Sequence, residues 1–96
     1  MIFENNNIII TYMQQVDSEN LKLFGDLVKE IRVKKSVSLN NIAFSRGGVT
    51  SATLSRIENG LVDFKFSTLL KLAYTLDIPL DELFKNYQYK IPADDN

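Results

Sequence analysis

The stretch Thr50-Ser51-Ala52-Thr53-Leu54-Ser55-Arg56-Ile57-Glu58-Asn59-Gly60 constrains what this chain can fold into more than any other part of it. Thr50 can accept a hydrogen bond from the free amides of a first helical turn, and Gly60 can take the left-handed conformation that ends a helix. Between them, Leu54 and Ile57 lie three apart and share one face. Ser51, Ala52, Ser55, Arg56 and Asn59 fall on the other side at helical spacing. The predicted helix has a small apolar face for a core and an outward face of short side chains with one cation. Nothing bulky on that outward face would hold a large object off. Such a surface suits the major groove of DNA, where short polar groups and Arg read base edges and methyl groups touch thymine.

Composition narrows the rest. At 96 residues there is room for one domain, and an apolar share of 45% can build its core. The chain has no Cys and no His, so a disulfide framework, a thiolate or imidazole metal site and the usual neutral-pH proton shuttle are all absent. No apolar run approaches the roughly 20 residues that cross a bilayer, and the first residues lack the basic start and long apolar segment of a secretory signal. The expected location is the cytoplasm, with no membrane partner. Net charge is −1, which taken whole argues against DNA binding by bulk electrostatics. Its distribution argues the other way. Residues 1–20 carry −3, residues 21–60 carry seven basic against three acidic side chains for +4, and residues 61–96 carry four against six for −2.

Along the chain, Asn5-Asn6-Asn7 is turn material and Ile8-Ile9-Ile10-Thr11-Tyr12 is β-branched and aromatic, so residues 1–20 read as an extension with a short β-strand or arm. Pairing with the same strand of a second copy and a flexible leader both fit, and Met13 offers an alternative first residue. A first helix is predicted from Ser18 or Asn20 to Lys35, with Phe24, Leu27, Val28 and Ile31 on its apolar stripe and Gly25 marking close approach to another helix. Ser38 caps a second helix that turns Leu39, Ile42 and Ala43 inward. A fourth helix over residues 67–76 is expected to bury Leu69, Leu70, Leu72 and Ala73. A fifth starts near Pro79, with Leu83 and Phe84 closing the core. Leu61, Val62 and Phe64 form an apolar loop, either a dimer surface or extra core. Tyr87, Tyr89 and Ile91 make a packing tail.

Several of these motifs together resemble a known family. Ser55-Arg56-Ile57-Glu58-Asn59-Gly60, preceded by Ser38-x-x-x-Ile42-Ala43 and Gly25-x-x-Val28-Lys29-x-Ile31-Arg32, is similar to the Cro and phage-repressor type of helix-turn-helix domain, the XRE family. Residues 68–73 and 80–84 match its last two helices. The resemblance covers residues 21–86 and implies an all-α, five-helix, lambda-repressor-like domain, flanked by the extension over 1–20 and a tail over 87–96. It implies a homodimeric transcriptional regulator, most plausibly a repressor, that binds double-stranded DNA without a cofactor or small-molecule ligand. Ser51, Ala52, Ser55 and Arg56 would then read bases. Ser38, Lys34, Arg46, Thr50, Asn59 and Lys65 would hold the DNA backbone, and Arg32 and Glu58 would form a structural ion pair.

The chain departs from the family at three places. Leu39 and Asn41 stand where Gln and Glu are usual. The turn Ala43-Phe44-Ser45-Arg46-Gly47-Gly48-Val49 is one residue longer, with two glycines to absorb the insertion. The loop after Gly60 keeps only Lys65 of its usual cations. Arg56 itself fits a bidentate guanine contact, a phosphate contact or a surface ion pair.

Enzymatic readings find little support. The adjacent carboxylates Asp81-Glu82 and Asp94-Asp95 do not converge on one substrate, and Gly47-Gly48 lacks the Lys and Ser or Thr of a phosphate loop. The alternative of another class is a protein-interaction module on the same scaffold, using Leu61, Val62, Phe64 and the first twenty residues. An antitoxin or a controller protein of a restriction system would be a variant of the DNA-binding reading that the resemblance implies.

Overall fold

A helix already anchored in a core is easily lengthened, because each further residue closes one more backbone hydrogen bond. The first helix of this protein shows the result in a computed structural model that describes residues 2–42 and 47–91, with side chains over 12–41 and 47–91. Helix α1 spans Ile2–Lys34, 33 residues. At about 1.5 Å per residue it accounts for the longest dimension of the molecule, 54 Å. The strand or arm expected over residues 8–12 is therefore a helix, and α1 starts well before Ser18. A lone strand would have left its amides and carbonyls unpaired. Continuing the helix satisfies them within the segment, and the propensity cost of β-branched residues is only a few tenths of a kcal/mol each.

Four shorter helices follow: α2 (Leu39–Ile42), α3 (Ser51–Glu58), α4 (Phe66–Leu76) and α5 (Leu80–Phe84). The described residues are thus all-helical, without a strand. Three of the helices end alike, on a residue with positive φ: Ser36 at 58°, Gly60 at 68° and Asp77 at 53°. The following amide then reaches back to a carbonyl that the last turn leaves free. Val37 donates to Arg32 at 3.1 Å, Leu61 to Arg56 at 2.9 Å and Ile78 to Ala73 at 3.0 Å. Val37 and Ile78 then pack against the core. Leu61 instead stays in solvent.

The core joins Phe24 and Val28 of α1, Val49 from the turn before α3, Leu54 and Ile57 of α3, Leu72, Ala73 and Leu76 of α4, and Leu83 of α5. Val62 and Phe64 pack against it, so most of the apolar loop is extra core. Leu70 and Phe84, expected inside, are 45% and 38% exposed. On α4 the inward stripe is Leu69, Leu72, Ala73 and Leu76, and Leu70 lies about 100° round the helix from Leu69. It joins Phe66 and Tyr74 on an outward stripe.

The tail over 87–91 is tied to α1 by Asn20. Its side-chain amide donates to the Lys90 carbonyl at 2.8 Å and accepts from the Lys90 amide at 2.6 Å, as a neighbouring strand would. Tyr87 donates its hydroxyl proton to the Asn20 carbonyl at 3.0 Å. Burial, and then the neighbouring Tyr89, push the Tyr87 phenol above its ordinary pKa, so this donor keeps its proton through the neutral range.

Candidate nucleic-acid interface

The outward face of α3 depends on how both ends of the helix are held. At its start Thr50 is extended, with φ −74° and ψ 161°, and its hydroxyl oxygen accepts the Thr53 amide at 3.1 Å. Just before it, Val49 is buried and its amide donates to the Thr75 hydroxyl at 2.9 Å. The Thr75 hydroxyl itself donates a hydrogen bond to the Lys71 carbonyl at 2.8 Å, which leaves its oxygen as an acceptor for Val49. The second glycine of the turn is not slack: a Cβ on Gly48 would meet the Thr75 hydroxyl oxygen at 2.2 Å. This glycine is the seat of α4 against the start of α3. Replacing Thr50 with Ala is expected to cost about 1 kcal/mol, read as a lower urea midpoint with an unchanged slope.

At the other end α3 lies directly on α1. A Cβ on Gly25 would meet the Ile57 carbonyl oxygen at 2.3 Å, and one on Gly60 would meet Lys22 Cα at 2.9 Å. Backbone touches backbone there. Beside this crossing, Arg32 Nε donates to Glu58 Oε2 at 2.6 Å and Arg32 Nη2 to Glu58 Oε1 at 3.1 Å. The third contact, from Arg32 Nη1 to the Val37 carbonyl at 2.9 Å, ties in the loop before α2. Both side chains are largely buried, 11% and 5% exposed. The hydrogen bonds to Glu58 raise the Arg32 pKa further above its ordinary value, against the opposing effect of burial. The guanidinium is therefore charged at any working pH.

Between these anchors, Leu54 and Ile57 are buried. Ser51 and Ser55 are half-buried, and Ala52 and Arg56 are exposed. Arg56 makes no ion pair or hydrogen bond through its side chain among the described residues. The four side chains named for base reading thus occupy one face of one helix.

The residues named for backbone contact are more scattered. Thr50 caps α3. Asn59 turns its side-chain amide back to the Ser55 carbonyl at 2.8 Å, which commits one of its donors to ending the helix. The Ser38 hydroxyl oxygen accepts the Asn41 amide at 3.1 Å. Lys65 is exposed at the start of α4. Lys34 is exposed beside Glu30 at 3.1 Å, and such a surface pair yields readily to a phosphate. Arg46, with the rest of residues 43–46, lies outside the described residues.

Two contributors escape sequence reasoning. Thr75 seats the start of α3, yet nothing marks it in a run of helix-forming residues. Lys35, in the turn just past α1, donates to the Asp77 carbonyl at 2.8 Å and so ties that turn to the end of α4.

Comparison with known proteins agrees with the all-helical fold. A family model described as a helix-turn-helix domain matches residues 25–89. The uncharacterized HTH-type transcriptional regulator RghRB of Bacillus subtilis (strain 168) is 38% identical over 61 residues, 62% of this chain and 43% of that protein. The HTH-type transcriptional repressor RghR of the same organism is 34% identical over 70 residues, 72% of this chain and 51% of that protein. The chain spans about half the length of these curated relatives.

Proposed function

We infer from one premise, that this chain belongs to the helix-turn-helix domain family, that it is a sequence-specific regulator of transcription that binds double-stranded DNA. In the finer reading it is of the Cro and phage-repressor type, a cytoplasmic homodimeric repressor with no cofactor. The observation that carries this is the outward face of α3: Ser51, Ala52, Ser55 and an Arg56 left without a partner among the described residues, all on a helix anchored at both ends. A cation exposed among small side chains can reach the O6 and N7 edge of guanine, while Ala52 and the two serines follow the groove floor. Lys34, Ser38, Arg46, Thr50, Asn59 and Lys65 are assigned to phosphates, which set orientation rather than sequence. The name of the relative RghR as a repressor supports the sign of regulation. In a two-fold dimer the half-sites lie about one helical turn apart, roughly 34 Å.

The test begins with genomic fragments retained by the purified protein, followed by binding titrations at several salt concentrations. Arg56→Ala is expected to lose about 1 to 3 kcal/mol of discrimination at one base pair. Lys34→Ala should weaken all duplexes alike and lower the salt slope by about one. Absence of affinity for any duplex at low salt overturns the reading. One observation favours the alternative, a protein-interaction module: Phe66, Leu70 and Tyr74 follow one another at four-residue spacing on α4 and are 67%, 45% and 67% exposed. Indifference to DNA together with a stable complex through that stripe would select it.

A further inference from the structure

We propose that the groove between α1, the loop leading to α4 and the C-terminal tail binds a small organic cation carried on an aromatic or apolar body. The groove is open to solvent along one side and has a volume of about 300 Å³, at the lower end of the range for small-molecule sites. Its walls include Phe24, Phe64, Phe84 and Tyr87, with Leu21 and Leu69 beside them. The Phe24 ring centre lies 5.5 Å from that of Phe64, 5.8 Å from Phe84 and 5.3 Å, edge-on, from Tyr87. Such ring faces carry negative potential and attract a cation, most strongly where water is excluded.

The rim makes the same choice. Asp17 and Asp63 border the groove, both exposed, and neither is paired or hydrogen-bonded through its side chain among the described residues. The neighbouring carboxylates are already neutralised: Glu19 by Lys90 at 2.7 Å and Asp26 by Lys22 at 2.6 Å. Among the described residues no Lys or Arg lines the groove. Two unpaired carboxylates over aromatic walls select a positive ligand and reject an anion, and a groove of about 300 Å³ has room for one ring with a short ammonium arm. The expectation that no small molecule binds came from sequence, where these residues lie far apart. A DNA phosphate is repelled here, so the groove is independent of the α3 face and of the DNA reading.

The probe is 2-phenylethylammonium, titrated into the intact protein and followed by amide chemical shifts, beside neutral 2-phenylethanol and anionic phenylacetate. Saturable shifts at Phe24, Phe64, Phe84 and Tyr87 are expected for the amine, with the alcohol about fivefold weaker or more and phenylacetate inert. Asp17→Asn with Asp63→Asn should weaken the amine to the level of the alcohol, while the thermal midpoint and the alcohol's own binding stay unchanged. Lack of a saturable shift with the amine up to its solubility limit overturns the proposal. So does equal affinity for amine and alcohol, or a double variant that binds the amine as before.

Discussion

Replacing Glu58 with Ala should destabilise the fold by about 3 to 5 kcal/mol, because it leaves the charge of Arg32 buried without its partner. The guanidinium cannot escape by losing its proton, since an arginine side chain stays protonated far above any working pH even without Glu58 beside it. It cannot easily swing into water either, with its side chain 11% exposed and a third contact to the Val37 carbonyl. Domains of this size have only about 5 to 15 kcal/mol in total, so the variant should lose a large fraction of its stability. Urea unfolding of the variant and of Glu58→Gln, which keeps an acceptor in place, measures the effect. Converting both partners together, Arg32→Met with Glu58→Leu, should recover most of the loss, since a buried pair gives little net stability over an apolar pair of similar volume. A double variant as unstable as Glu58→Ala would show that the Val37 contact, rather than the pair, holds the site.

Gly25→Ala is the second large effect, and here two terms compete. Ala favours the interior of α1 by about 1 kcal/mol over Gly. The new Cβ, however, would lie 2.3 Å from the Ile57 carbonyl oxygen and 2.7 Å from that of Glu58, both backbone atoms that no rotamer change can move. Relieving the clash means pushing α3 away from α1 by roughly 1 Å, and overpacking of this kind costs about 1 to 3 kcal/mol or more. The clash should win, with a net loss of about 2 kcal/mol and a weakened Arg32–Glu58 pair beside it. Thermal melting reports the first. A duplex affinity that falls further than the stability loss explains would report the displacement of α3. An unchanged or raised melting temperature would mean that the crossing is looser than these distances.

How much was legible in the sequence depended on how local each feature is. The caps of α3 and its division into Leu54 and Ile57 inside, Ser51, Ala52, Ser55 and Arg56 outside, follow from eleven consecutive residues and the helical period. Gly25 was legible as a point of close approach, though not which atoms it meets. Arg32 and Glu58 lie far apart in the chain, and only the family resemblance linked them. The β-branched run over residues 8–12 misled because propensity is a weak preference and the helix behind it was already anchored. Leu70 was misplaced by one position of the helical period. Thr75, the Asn20 clamp and the groove over Phe24 could not be read at all: each is defined by neighbours that only the folded chain brings together.

The central claim is that the outward face of α3 meets duplex DNA. The most direct measurement is an amide chemical-shift titration of the labelled protein with a duplex selected from genomic fragments. The largest perturbations should fall on Ser51, Ala52, Ser55 and Arg56 and should vanish at Ser51 and Ser55 when the duplex is replaced by one of unrelated sequence at the same salt. Perturbations centred instead on Phe66, Leu70 and Tyr74, with the amides of α3 unmoved, would contradict the account.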